Sequence, residues 1–266
     1  MIPTFVTIIF LLLLFSKKFR ESLKSFLNYF PEYFESLIIK NKDSVIKLSF
    51  VLILTVLIAG ILIGILFLIF NIPSTITWNF ISELIEAIVL LYFFNRAILV
   101  LNNHSLTEFF KTNTGFLKSF IISMALIGLV LAIDYVMLPV TSLIPSYEIF
   151  EEIRNERFQK PGNGIELVLL VLSISLLPAL VEEIFFRGIL YKNFRRKYGI
   201  TVSVIILTII FYLFHLDPQM IFFLVIGNIV LCLSFEYTKS LVVPFVVHLG
   251  INFCALLFHL NNYNSL

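Results

Sequence analysis

Apolar stretches about twenty residues long recur along this chain, and they restrict it to one kind of fold. Bilayer hydrocarbon holds no water to satisfy backbone N–H and C=O groups, so an open chain crosses it only as a helix. A crossing of roughly 30 Å takes about 20 residues. Runs of that order occupy residues 48–70, 77–101, 119–140, 165–187, 199–215, 219–236 and 240–258. Composition agrees, with 59% hydrophobic and 14% charged residues, where a soluble domain carries roughly a quarter charged. Mean hydropathy is +1.01. The expected fold is all-α, a polytopic membrane bundle of seven to eight transmembrane helices. The eighth is residues 2–15, which lack a basic flank and a small-residue cleavage site before Ser16-Lys17-Lys18. A cleaved signal peptide is therefore disfavoured.

The basic residues set the orientation. With eight spans, alternate connections carry all but Arg154, Arg157 and Lys160 of the 19 Lys and Arg residues, and that side is expected to be cytoplasmic. The three exceptions share their loop with Glu148, Glu151, Glu152 and Glu156. Residues 16–44 mix Lys, Glu, Phe and Tyr, as an interfacial amphipathic helix does. The expected organisation is residues 1–164 as N-terminal membrane helices, 165–258 as a catalytic membrane segment and 259–266 as a short tail. Cys232 and Cys254 lack metal-ligand spacing and suit apolar packing. Nothing resembles a nucleotide loop, and no nucleic-acid partner is expected. The lipid bilayer is the evident one.

Three islands of polarity interrupt the C-terminal half: Glu182-Glu183 with Arg187, His215 after Phe211, and His248 with Asn252. Ionisable groups at membrane depth are costly and are kept where they work or pair. Positions i and i+4 share a helical face, so Glu183 meets Arg187 and His248 meets Asn252. Glu182 is turned about 100° from Glu183, so the two carboxylates are not expected to face one partner. That assigns Glu183–Arg187 as a clamp and leaves Glu182 for a cavity that a kink at Pro178 helps to open. Glu182 and His215 lie almost equally far from a turn at Tyr198-Gly199, so an antiparallel hairpin brings them to one level. The Leu216-Asp217-Pro218 sequence ends the helix there. A carboxylate, two imidazoles and a carboxamide suit water activation and oxyanion stabilisation. Each island alone has a bland reading: a boundary charge cluster, an interfacial histidine, an interhelical hydrogen bond. Glu83, Glu86, Asp134 and Glu236 are read as span-boundary residues and Asn228 as a helix-contact residue.

Glu182-Glu183-x-x-x-Arg187, Phe211-x-x-x-His215 and His248-x-x-x-Asn252 together resemble the three signature motifs of the CAAX-protease and bacteriocin-processing (CPBP, or Abi) family of intramembrane proteases, which includes the type 2 CAAX prenyl endopeptidase. Phe186-Arg187-Gly188 and Thr238-Lys239-Ser240-Leu241 agree at the flanks, with Lys239 in place of the usual small residue. The resemblance covers residues 165–258, about a third of the chain. It implies endoproteolysis of a peptide or protein substrate at the membrane, in the cell membrane of a prokaryote. Glu182 would be the general base, helped by His215. His248 and Asn252 would bind the oxyanion, with Glu183 and Arg187 in support. No cofactor is needed in that mechanism. The alternative is a zinc metalloprotease with Glu182, His215 and His248 as ligands, a legitimate catalytic set. A non-catalytic immunity or scaffold protein of the same family would not require all four polar groups. A proton-coupled transporter is disfavoured by the lack of inverted repeats.

Overall fold

The computed structural model describes residues 17–41, 44–70, 75–102, 106–111, 114–144, 157–215 and 217–263. The expected first span, 2–15, lies outside them, as do residues 147–156 of the polar loop. All regular structure among the described residues is helical. The chain forms two compact units, Met1–Ser105 and Leu106–Leu266.

The first unit holds α1 (Lys17–Asn41), α2 (Val45–Ile69) and α3 (Ile76–Asn102), each packed on the other two. The 16–44 segment is amphipathic in the way its composition suggests. Phe34 and Ile38 are buried while Tyr29, Tyr33 and Ile39 are exposed. Phe34 sets its ring edge-on against Phe93 of α3 at 4.9 Å, and Glu35 pairs with Arg96. Leu54, Leu57, Ile61 and Leu62 of α2 lie exposed. A soluble protein rarely leaves so large an apolar surface uncovered, and a bilayer supplies the missing cover.

The second unit contains a 3₁₀ turn (Leu106–Phe110), α4 (Phe116–Thr141), α5 (Gly164–His215), a 3₁₀ turn (Pro218–Met220), α6 (Ile221–Thr238) and α7 (Val242–Tyr263). Helix α7 packs on α4, on α6 and on the start of α5. Buried Leu231, Val243 and Val247 gather Ile122, Leu126, Ile127 and Val230 around them. The Pro161-Gly162-Asn163-Gly164 break starts α5 through reciprocal capping. The Glu166 amide donates to Asn163 Oδ1 at 3.0 Å, and the Gly162 amide donates to Glu166 Oε2 at 2.7 Å, which satisfies amides left over at a helix start. At the other end of α6, Lys239 adopts a left-handed conformation, φ 54°. This is the position where the resemblance expects a small residue, and glycine bears that geometry at least cost.

Six helices among the described residues are long and apolar enough to cross a membrane, against an expectation of seven to eight. One reason is that the expected spans 165–187 and 199–215 belong to one helical stretch of 52 residues. Straight, it would extend about 78 Å at 1.5 Å per residue, far beyond the ~30 Å of hydrocarbon. It is broken at Gly199, where φ is 75° and ψ is −177°, a conformation open mainly to glycine. Helices of this length and apolarity make this an integral membrane protein.

Candidate active site

The break at Gly199 makes α5 an antiparallel hairpin whose register is fixed by aromatic rings. Phe186 meets Phe211 at 5.0 Å and Phe214 at 5.7 Å, and Phe185 meets Phe214 at 6.1 Å. These pairs are nearly symmetric about Tyr198-Gly199, so Glu182 and His215 arrive at the same level, as the spacing predicts. The first arm is not uniformly α-helical. Leu172–Leu176 and Ile184–Tyr191 are wound as π-helix, flanking the α-helical Leu177–Glu183. Single π-turns inside α-helices are frequent at functional sites. Here the second one begins immediately after Glu183.

Glu183 and Arg187 are fully buried and joined, Arg187 Nη1 donating to Glu183 Oε1 at 2.8 Å. The Arg187 Nη2 donates to Asn228 Oδ1 of α6 at 2.5 Å, and Asn228 Nδ2 donates to Thr208 Oγ1 at 2.8 Å. The guanidinium carbon also lies 5.4 Å from the centre of the Phe211 ring, which ties the Phe211-x-x-x-His215 motif to the arginine. Glu183 Oε1 further accepts a hydrogen bond from His248 Nδ1 at 2.7 Å. The other ring nitrogen of His248, Nε2, lies 3.9 Å from Glu182 Oε2. The expectation that adjacent carboxylates cannot share a partner is therefore corrected. An imidazole carries nitrogens on two edges, and its width bridges the angular offset between Glu182 and Glu183.

The environments of the two carboxylates still differ as expected: the Glu182 side chain is 25% exposed and that of Glu183 0%. Glu182, His215, His248 and Asn252 all line one cavity of about 190 Å³, whereas Glu183 and Arg187 stand behind its wall. Glu182 Oε2 is buried with no hydrogen-bond partner among the described residues. His215 Nδ1 donates to the Phe211 carbonyl at 2.8 Å. A carbonyl only accepts, so that nitrogen carries the proton, and Nε2 is the ring nitrogen left for the cavity. Asn252 Nδ2 lies 3.4 Å from the Ile174 carbonyl. Pro178, four residues after Ile174, has no N–H to offer that oxygen, and the side-chain amide of Asn252 serves in its place. One amide hydrogen of Asn252 remains for the cavity. Arg157, Asp217 and Asn228 also reach the cavity. Sequence reasoning missed the first two as site residues and took Asn228 for helix packing alone. Asp217 closes the cavity by accepting the Gln219 amide at 3.1 Å, which turns the chain from α5 into α6.

A second, wider cavity of about 760 Å³ shares Phe158, Met220, Phe223 and Ala255 with the first. Asp134 of α4 and Cys254 of α7 lie on its wall, so Asp134 lines a cavity rather than simply marking a span end. Among the described residues no three of His, Cys, Asp and Glu, Glu182, His215 and His248 included, converge as a metal-holding group.

The family model described as type II CAAX prenyl endopeptidase Rce1-like matches residues 164–254, about a third of the chain. No curated protein and no solved structure matches. The matched stretch takes in every residue of the three motifs, together with the hairpin and the two helices that close their shared cavity. Residues 164–254 are thus similar to the Rce1-like type II CAAX prenyl endopeptidases, the kind of protein that the three motifs resemble.

Proposed function

We propose that this protein is an intramembrane endopeptidase that cleaves a peptide bond of a membrane-associated substrate with a water activated by Glu182. The observation that carries the reading is the single cavity onto which Glu182, His215, His248 and Asn252 open, with Glu182 Oε2 buried and without a hydrogen-bond partner among the described residues. In this mechanism the two arms of α5 cross the bilayer separately, giving seven crossings among the described residues.

Glu182 takes a proton from water as the oxygen attacks the scissile carbonyl carbon. The lone pair on His215 Nε2 accepts a hydrogen bond that orients the same water. The C=O π electrons move to oxygen, and the resulting oxyanion is held by the Asn252 amide and by His248 Nε2–H. For that second donor His248 must carry both ring protons, because Nδ1 already donates to Glu183. The doubly protonated ring makes the set Glu182, Glu183, Arg187 and His248 net neutral, which suits a low-dielectric surrounding. Collapse of the oxyanion breaks the C–N bond, and protonated Glu182 returns its proton to the leaving nitrogen. Each of these steps uses side chains of this chain alone.

The test is cleavage of membrane-anchored peptides by purified protein in lipid nanodiscs, with products identified by mass spectrometry. The wild-type protein should release defined fragments. His215→Ala should lower the rate about 10²-fold or more. Full activity in His215→Ala would remove that residue from the mechanism, and no cleavage of any peptide by the folded wild type would favour a non-catalytic role.

A further inference from the structure

Asn228 has the placement of a helix-contact residue and a hydrogen-bonding pattern that goes further. It is fully buried on α6, and its carboxamide is used at both ends: Oδ1 accepts from Arg187 Nη2 at 2.5 Å, and Nδ2 donates to Thr208 Oγ1 at 2.8 Å. A second acceptor, Cys232 Sγ, lies 3.8 Å from the same nitrogen. Beyond Arg187 the chain of contacts continues through Glu183 Oε1 to His248 Nδ1, at 2.8 and 2.7 Å. His248 Nε2 then faces Glu182 across 3.9 Å. An unbroken series of polar contacts thus runs from the second arm of α5, through α6 and the first arm of α5, to α7.

The weak point of such a series is Arg187. Its side chain is long and carries about 2 kcal/mol of rotamer entropy, and Glu183 alone engages only one of its terminal nitrogens. The ring faces of Phe186 and Phe211, 5.8 and 5.4 Å away, confine the guanidinium without setting its rotation about Cδ–Nε. The short second contact comes from Asn228 Oδ1 at 2.5 Å, with the Asn228 backbone carbonyl farther off at 3.5 Å. We infer that Asn228 is a positioning residue for the proposed hydrolysis: by fixing Arg187 it fixes Glu183, and so the orientation of the His248 ring that meets the reacting carbonyl. This inference rests on the catalytic reading above. Its content is that the carboxamide matters through Arg187, on the His248 side, and not as a fastener between α5 and α6 through Thr208.

The two roles separate by which partner is removed. Asn228→Leu deletes both short side-chain hydrogen bonds and leaves Arg187 only the 3.5 Å contact to the backbone carbonyl at 228, whereas Thr208→Val deletes only the bond between α6 and the second arm. With a peptide the wild type cleaves, Asn228→Leu should lower kcat about 10-fold with KM unchanged, and Thr208→Val should stay within about threefold of wild type. Should Asn228→Leu fail to fold, Asn228→Ser, which also removes the carboxamide, should show the same loss. Loss of kcat in Thr208→Val equal to that in the Asn228 variant, or a change confined to KM, overturns the inference. A readout independent of activity keeps the two readings apart. In protein carrying ¹⁵N histidine, the hydrogen-bonded Nδ1 proton of His248, identified by its loss in His248→Gln, should move in the Asn228 variant and hold its position in Thr208→Val. An unmoved signal overturns the inference even if catalysis stands. A moved signal supports the positioning role even if the wild type cleaves nothing, and in that case only the catalytic reading falls.

Discussion

One peptide bond apart, Glu182 and Glu183 have side chains 25% and 0% exposed, and the difference divides their work between the cavity and the wall behind it. A buried carboxylate with one partner removed is left as an uncompensated charge, which costs about 3–5 kcal/mol. Glu183→Gln and Arg187→Met should each lower the melting temperature in detergent substantially. The double variant should cost less than the two singles added, with a coupling of about 1–3 kcal/mol. Additive losses in the melting curves would show that the pair contributes nothing jointly. Asn252 presents a different balance. Its amide both replaces the missing Pro178 N–H at the Ile174 carbonyl and faces the cavity. Asn252→Ala should lower kcat about 10²-fold with little change in KM, the usual cost of one oxyanion donor. A change in KM alone would place Asn252 in substrate binding instead. The Glu183–Arg187 contact was legible from i, i+4 spacing. The Glu183–His248 contact was not, because it joins residues 65 apart on different helices, and no local pattern encodes such a pair.

At the scale of elements, helix α7 owes its approach to α4 to the absence of a side chain at Gly250. A Cβ placed there would stand 2.4 Å from Ile127 Cδ1 and 3.1 Å from its Cγ1. Gly250 lies between His248 and Asn252, so displacement of α7 moves both proposed oxyanion donors together. Gly250→Ala should destabilise the protein by about 1–3 kcal/mol, the range for overpacking, although alanine by itself favours helix. Trimming the obstacle with Ile127→Val in the same chain should recover most of the lost melting temperature and rate. If Ile127→Val brings no recovery, the close approach is not what Gly250 provides. The hairpin of α5 was readable beforehand because Gly199 and the flanking residues mark its centre. The two π-wound segments were not readable. Apolar residues in this arm follow no period strict enough to separate 3.6 from a wider turn, and Pro178 signals a disturbance without its form.

For the whole molecule, hydropathy revealed a helical membrane protein, and the spacing of three short motifs anticipated that Glu182, His215, His248 and Asn252 would line one cavity. The helix count differs because the two expected spans joined at Gly199 form one helical stretch and residues 2–15 lie outside the described residues. Helix α4, silent in motifs, packs with α6 and α7 in the second unit. In the proposed mechanism the protein needs no metal. Active protein should contain well under about 0.1 zinc per chain by elemental analysis, and a chelator should leave its rate unchanged. Near-stoichiometric zinc whose removal and return switch activity off and on would convert Glu182, His215 and His248 into ligands of the kind seen in catalytic zinc sites. The central claim is that Glu182 activates the attacking water, and the most direct measurement compares wild type with Glu182→Gln, an almost isosteric change, on one membrane-anchored peptide in nanodiscs. The account predicts a rate lower by at least about 10²–10⁴-fold with the melting temperature and the set of products otherwise unaltered. A Glu182→Gln protein that cleaves at a rate within about threefold of wild type would contradict it.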